Sequence, residues 1–182
     1  MLKNNRRIVL MSCCAPCSAG AILQMKNSGN DFCVLFYNPN IFPESEYNKR
    51  LAEQIKLCEA HGVKYAVGDY NHESWLACVG AGRENEPERG KRCSECFRHR
   101  FAYGIKWARD NGYDAIASVF GVSRWKNQLQ VDFSAQLAIS NEQLSIIYLS
   151  VEWDESLRIA ENKRHNFYRQ NYCGCEYSIR KV

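Results

Sequence analysis

Short apolar runs recur along the chain at Ile8–Ser12, Phe32–Tyr37, Val63–Val67, Ala115–Phe120 and Ser145–Leu149. Each is too short for a helix and rich in β-branched or aromatic residues, which predicts five strands. Between them the apolar positions return every three or four residues. The clearest case is PESEYNKRLAEQIKLCEAHG, where Tyr47, Leu51, Ile55 and Cys58 share one stripe and Gly62 supplies the stop. Further helices are expected over Ser18–Lys26, Cys93–Asp110, Asn127–Ile139 and Ser156–Gln170. Strands alternating with helices predict an α/β fold, a mostly parallel sheet with flanking helices. At 182 residues the chain suits one domain, taken as residues 1–182. The stretch GAGRENEPERGKR, Gly80 to Arg92, reads as a long surface loop or lid and leads into Cys93.

Composition adds bounds. No run approaches the roughly 18 apolar residues that a membrane span needs. The apolar core Ile8–Met11 is too short for a signal peptide, so a cytoplasmic protein without a membrane partner is expected. A net charge of +4 permits a polyanionic partner without requiring one. Basic residues gather in RENEPERGKR, FRHR and KRHNFYRQ, two of them beside cysteines. Neither a phosphate-binding G-x-x-x-x-G-K-[ST] nor a G-x-G-x-x-G after a strand is present, so no nucleotide cofactor is indicated.

Ten cysteines change the picture more, because cytoplasmic thiols are kept reduced and need another reason to accumulate. Cys33, Cys58 and Cys78 stand alone on apolar faces and read as buried, inert thiols. The other seven form three groups: Cys13, Cys14 and Cys17 in CCAPC; Cys93 and Cys96 in KRCSEC; Cys173 and Cys175 in YCGC. The first follows a strand and opens a helix, where ligands of parallel sheets gather and where backbone N–H groups favour thiolates. The second pair would lie on one face of the next helix's first turn, and the third could fold back over the same edge. A thioredoxin-like dithiol would use Cys14 and Cys17 and leave five clustered thiols idle. A structural zinc site could take Cys14, Cys17, Cys93 and Cys96. An iron–sulfur cluster would account for all seven. Of the four histidines, each reads as a surface residue; His99, three positions after Cys96, is the one worth testing as a ligand.

Several strings together resemble the QueH-type epoxyqueuosine reductases, the cobalamin-independent enzymes of queuosine formation in tRNA. They are CCAPC, FYNPNIFPESEYNKR, KRCSEC, SRWKN and YRQNYCGC, spread in order over nearly the whole chain. The resemblance implies an adenine-nucleotide α-hydrolase-like (HUP-type) fold without a nucleotide or cobalamin, with a metal site built from residues 13–17, 93–96 and 173–175. It implies a [4Fe–4S] cluster on Cys13, Cys14, Cys93 and Cys96 and a second, mononuclear iron beside it, toward which Cys17 could contribute. Cys173 and Cys175 would be a redox-active pair or ligands of that iron; a disulfide closed over one glycine is strained and easily reduced. The implied partners are a tRNA anticodon loop carrying epoxyqueuosine and an unidentified electron donor. Loops of this kind are read by stacking and phosphate contacts. Tyr37, Trp125 and Tyr168 are the stacking candidates, Arg92, Arg124, Lys126 and Arg169 the polar ones, and Asn38 and Asn40 could order the loop after the second strand or bind substrate. Asp132, Glu152 and Asp154 are acidic candidates for a proton donor. The segment VEWDESLRIAENK lacks the basic run expected of the family.

Overall fold

The computed structural model describes residues 6–143 and 145–179. Five strands, β1 (Arg7–Ser12), β2 (Asp31–Phe36), β3 (Lys64–Val67), β4 (Ala115–Ser118) and β5 (Ile147–Tyr148), form one parallel sheet in the order β3-β2-β1-β4-β5. The connecting helices are α1 (Ala15–Asn27), α2 (Glu44–His61), α3 (His72–Trp75), α4 (Lys91–Asp110), α5 (Gln128–Glu142) and α6 (Glu155–His165). Helices cover both faces of the central strands, which is why those strands read as unbroken apolar runs. Ile8, Val9, Leu10 and Met11 of β1 are wholly enclosed.

The five predicted strands and five predicted helices all form, with shifted ends. The last helix stops at His165, five residues short of its expected end, because Asn166 turns left-handed at φ 47° and closes it. The segment after Asn166 is thereby released to cross the sheet edge. The short α3, running into a wide turn over Leu76–Gly80, was not anticipated; a turn of that geometry breaks the 3.6-residue period. Cys33 and Cys58 are buried as expected, whereas Cys78 on this wide turn is exposed.

The buried face of α2 also differs from its apolar stripe. Tyr47 and Cys58 are buried, but so are Glu46, Arg50 and Gln54, while Leu51 and Ile55 are only half-buried. The helix is rotated so that polar side chains point to the carboxyl ends of the strands. α6 packs tightly against α1. A Cβ at Gly20 would stand 2.5 Å from the backbone nitrogen of Arg158, so only glycine permits this approach.

Strand order reverses between β1 and β4, and parallel sheets open a crevice outside the carboxyl ends at such a point. The turn after β1 carries Cys13–Cys17, the loop after β4 carries Ser123–Lys126, and the C-terminal segment reaches the same rim.

Candidate metal centre

β1 delivers Cys13 and Cys14 at its carboxyl end. Cys14 is extended and caps α1, with Pro16 in the first turn and the Cys17 and Ser18 amides donating to the Cys14 carbonyl at 3.2 Å each. Buried hydroxyls brace this corner: Ser12 and Ser18 donate to Gln54 Oε1 at 2.6 and 2.8 Å, tying it to α2. The Sγ atoms of Cys13, Cys14 and Cys17 all lie within 4.8 Å of one another, Cys13 and Cys14 at 3.8 Å. Hydrogen bonding from Cys14 and then Cys17 holds the Cys13 thiol well below its ordinary value. The same contact with Cys13 pushes Cys14 up to about 12 and Cys17 well above the usual range. Three soft sulfur donors this close together suit a thiophilic metal.

The second group stands at the start of α4. The Arg89 amide donates to Cys93 Sγ at 3.2 Å, and Cys96 is buried one turn on. Cys173 and Cys175 come over it from the C-terminal segment, and with Cys93 and Cys96 they enclose a tight space of about 20 Å³. Burial raises all four thiols, Cys96 to about 12. All ten cysteines are unbridged thiols.

Buried cations hold this assembly. Arg50 binds Glu46 Oε1 at 2.7 Å and donates to the Cys173 and Tyr172 carbonyls at 3.1 and 3.4 Å. Gly174, at φ 134°, gives its carbonyl to the Phe42 amide at 2.8 Å; a side chain there would be strained. Arg100 donates to the Tyr37 carbonyl and to Asn38 Oδ1 and stacks over Phe120 at 3.6 Å. Burial alone would lower Lys126, but attraction to Cys13 and Cys173 outweighs it and raises its pKa.

A cavity of about 940 Å³ opens in front of the first group, with Cys13, Cys14, Cys17 and Cys173 in its wall. Arg124, Trp125 and Lys126 line it from the loop after β4, and Tyr168 and Arg169 from the C-terminal segment. Trp125, Lys126 and Cys173 also line the tight space between the four other thiols.

Other expected contacts fall elsewhere. Tyr37 is buried in the core, its ring stacked 3.7 Å from Tyr103 and its hydroxyl 3.1 Å from His99 Nε2, and it lines neither cavity. Asn38 is buried and donates to the Ser12 carbonyl at 3.0 Å, so it orders the rim. Asn40 lines the tight space, with Oδ1 buried and without a hydrogen-bond partner among the described residues. Arg92 is buried too and donates to the Arg83 carbonyl at 2.6 Å, fastening the loop before α4.

The acidic candidates do not face the large cavity. Asp132 accepts from Tyr148 and Gln128, each at 2.6 Å, and Asp154 caps α6. Glu152 lines a separate cavity. Nor are the histidines simple surface residues. His99 meets Tyr37, His72 bridges the Pro39 carbonyl and Glu176 at 2.8 Å each, and His61 and His165 meet Glu161.

Sequence reasoning missed part of the wall: Arg50, Arg158, Asn162 and Lys163 also line the cavity. The last three lie on α6, within the segment that lacks the expected basic run. Their i, i+4 and i+5 spacing, 158, 162 and 163, was the available signal.

The family model for epoxyqueuosine reductase QueH matches residues 8–181. The chain is 39% identical over 180 residues to the epoxyqueuosine reductase QueH of Histophilus somni, covering 97% of this chain and 73% of that protein. It is 40% identical over 181 residues to that of Acinetobacter baylyi, covering 97% and 82%. Among solved structures, the U34-tRNA thiolase NcsA from Methanococcus maripaludis with its [4Fe-4S] cluster is similar, with a TM-score of 0.60 at 14% identity over 98% of this chain and 63% of that one. A predicted subunit of tRNA methyltransferase from Methanocaldococcus jannaschii is similar at 0.57 and 10% identity, covering 86% and 74%. These two share the fold.

Proposed function

The chain belongs to the epoxyqueuosine reductase QueH family and is an oxidoreductase of queuosine biosynthesis, and from that premise we propose how its rim performs the reaction. The substrate is epoxyqueuosine at the anticodon wobble position of a tRNA, in the cytoplasm. Two electrons and two protons break both C–O bonds of the epoxide, leaving a carbon–carbon double bond and one water.

The observation that carries this reading is the cavity over Cys13, Cys14, Cys17 and Cys173. At about 940 Å³ it is of the size that takes a nucleoside-scale ligand. Its basic side chains are Arg50, Arg124, Lys126, Arg158, Lys163 and Arg169, against one acidic residue, Glu155. That charge suits a phosphodiester chain. Trp125 and Tyr168 offer aromatic faces for splayed bases, with Arg124 at 4.6 Å over the Trp125 ring.

Cys13, Cys14, Cys93 and Cys96 would hold a [4Fe–4S] cluster and Cys17 would lie toward a neighbouring iron, which together supply single electrons and a Lewis acid. Closing Cys173 and Cys175 to a disulfide releases two electrons and two protons, the number the deoxygenation consumes. An external electron donor then returns the pair to thiols. Arg50 keeps Cys173 at the cavity by gripping the carbonyls of Tyr172 and Cys173, and Arg100 and Lys126 place positive charge beside the thiols. No nucleotide or cobalamin is required.

The test is anaerobic purification followed by iron and sulfide analysis, with conversion of epoxyqueuosine-containing tRNA under a chemical reductant. About four irons or more per chain with turnover is the expected result. A colourless protein that carries one zinc, takes up no iron on anaerobic reconstitution and leaves the epoxide intact would sink the reading.

A further inference from the structure

A second cluster of ligating side chains lies away from the thiols, where the ends of α2 and α6 meet. His61 is the last residue of α2, followed by the left-handed Gly62; Glu161 and His165 stand one turn apart on α6. The three donor atoms lie within 4.8 Å of one another. His61 Nε2 is 2.9 Å and His165 Nε2 is 3.4 Å from Glu161 Oε2.

These distances invite a reading as ordinary ion pairs, but all three atoms are buried and, among the described residues, none has a hydrogen-bond partner of regular geometry. The Glu161 and His61 side chains are 7% and 8% exposed, so water does not compensate. Arg164 approaches only the other oxygen, Oε1, at 3.6 Å. A carboxylate oxygen and two imidazole nitrogens left unsatisfied in one buried pocket are costly unless something joins them. Donors about 3 Å apart are spaced as they are around one small cation with bonds of about 2.0–2.1 Å. Two imidazoles and one carboxylate are a set that zinc takes, with a fourth position left for water.

We propose that His61 Nε2, Glu161 Oε2 and His165 Nε2 bind one divalent transition-metal cation of the zinc class, at a site separate from the cysteines. The cation clasps the carboxyl end of α2 to that of α6. Asn162 and Lys163, next to Glu161 in sequence, line the large cavity. Occupancy therefore fixes the last turn of the wall that faces the substrate.

The experiment is zinc titration by calorimetry, with metal analysis, on chelator-treated protein whose thiol site has been reconstituted anaerobically with iron and sulfide. Wild type is compared with His165→Ala and Glu161→Gln. The readout is the difference between wild type and variant, so it stands whatever the thiols hold. Wild type should bind one zinc more than either variant, with a dissociation constant of about 1 µM or tighter. Its thermal midpoint should rise with zinc while those of the variants do not. His165 is the least buried of the three, and circular dichroism verifies its variant's fold; Glu161→Gln keeps the side-chain shape and decides if the other unfolds. Equal zinc stoichiometry and affinity in wild type and variants overturns the proposal. So does wild-type protein that binds no zinc beyond its thiols, which would make the trio a buried His–Glu–His contact only.

Discussion

The three thiols behind β1 and the four beneath α4 and the C-terminal segment share one rim in opposite surroundings. Cys13, Cys14 and Cys17 face a cavity of about 940 Å³, and hydrogen bonding from its two neighbours lowers the Cys13 thiol. Cys93, Cys96, Cys173 and Cys175 close on a space of about 20 Å³, and burial drives each of them toward the neutral thiol. One side is open, the other closed. Cys173 lines both spaces. On the proposed function, the closed side would hold electrons away from water and the open side would deliver them.

The largest effect should come from removing one thiol on either side. If both groups serve one centre, Cys93→Ala and Cys13→Ala each lower iron content and cut turnover by about 1,000-fold or more, roughly 4 kcal/mol. Iron analysis beside a single-turnover assay reads both. A Cys93→Ala protein with full iron and full activity would break the comparison, leaving the enclosed thiols without a ligand role.

Next is Arg50, whose guanidinium ties the carbonyls of Tyr172 and Cys173 to Glu46. Arg50→Met strands a buried carboxylate and unfastens the C-terminal pair. Removing one partner of such a pair costs about 3 kcal/mol, visible in denaturant unfolding. Double substitution with Glu46→Gln should recover part of that loss but not the activity, because the tether to Cys173 stays broken.

The comparison also explains what could be read from the sequence. Strands covered on both faces are continuous apolar runs, and cysteine groups announce themselves by local spacing, so both were legible. Arg50, Gln54 and Glu46 were not, because polar residues on a helix pattern as solvent-facing. Their burial is compensated by partners such as the Cys173 carbonyl, 123 positions away. His61 was missed likewise: Glu161 and His165 form a visible i, i+4 pair, but their third member is the end of a helix 100 residues earlier. Tyr37 was expected at the substrate by residue type, which does not distinguish an aromatic in the core from one at a surface; Arg92 both fastens a loop and lines the tight space.

A smaller effect is expected at Gln54, which supports only the open side. Gln54→Ala removes the acceptor for the Ser12 and Ser18 hydroxyls. The Ser18 hydroxyl keeps the Cys14 carbonyl at 3.0 Å and that of Ser12 keeps Ser18 Oγ at 3.2 Å, so the loss is about 1 kcal/mol, a fall of roughly 2–4 °C in melting temperature for a chain of this size. The sharpening result would be turnover lost with the tight enclosure intact, seen as Cys93 and Cys96 remaining protected from alkylation in the apo protein while Cys13 and Cys14 become reactive.

The smallest effect belongs to single basic side chains. Lys163 is exposed on α6 and lines the large cavity; Lys91 is equally exposed at the start of α4 and lines neither space. A contact to one phosphate of single-stranded RNA contributes about 0.7 to the slope of log affinity against log salt. Lys163→Ala should therefore weaken tRNA binding a few-fold at physiological salt and flatten that slope by about that amount. Lys91→Ala should leave both unchanged, although it removes the same charge from a position closer to the cysteines in sequence. Equal losses from both lysines would mean that tRNA is attracted by the protein's overall positive charge, and that the cavity in front of the first cysteine group is not where its backbone lies.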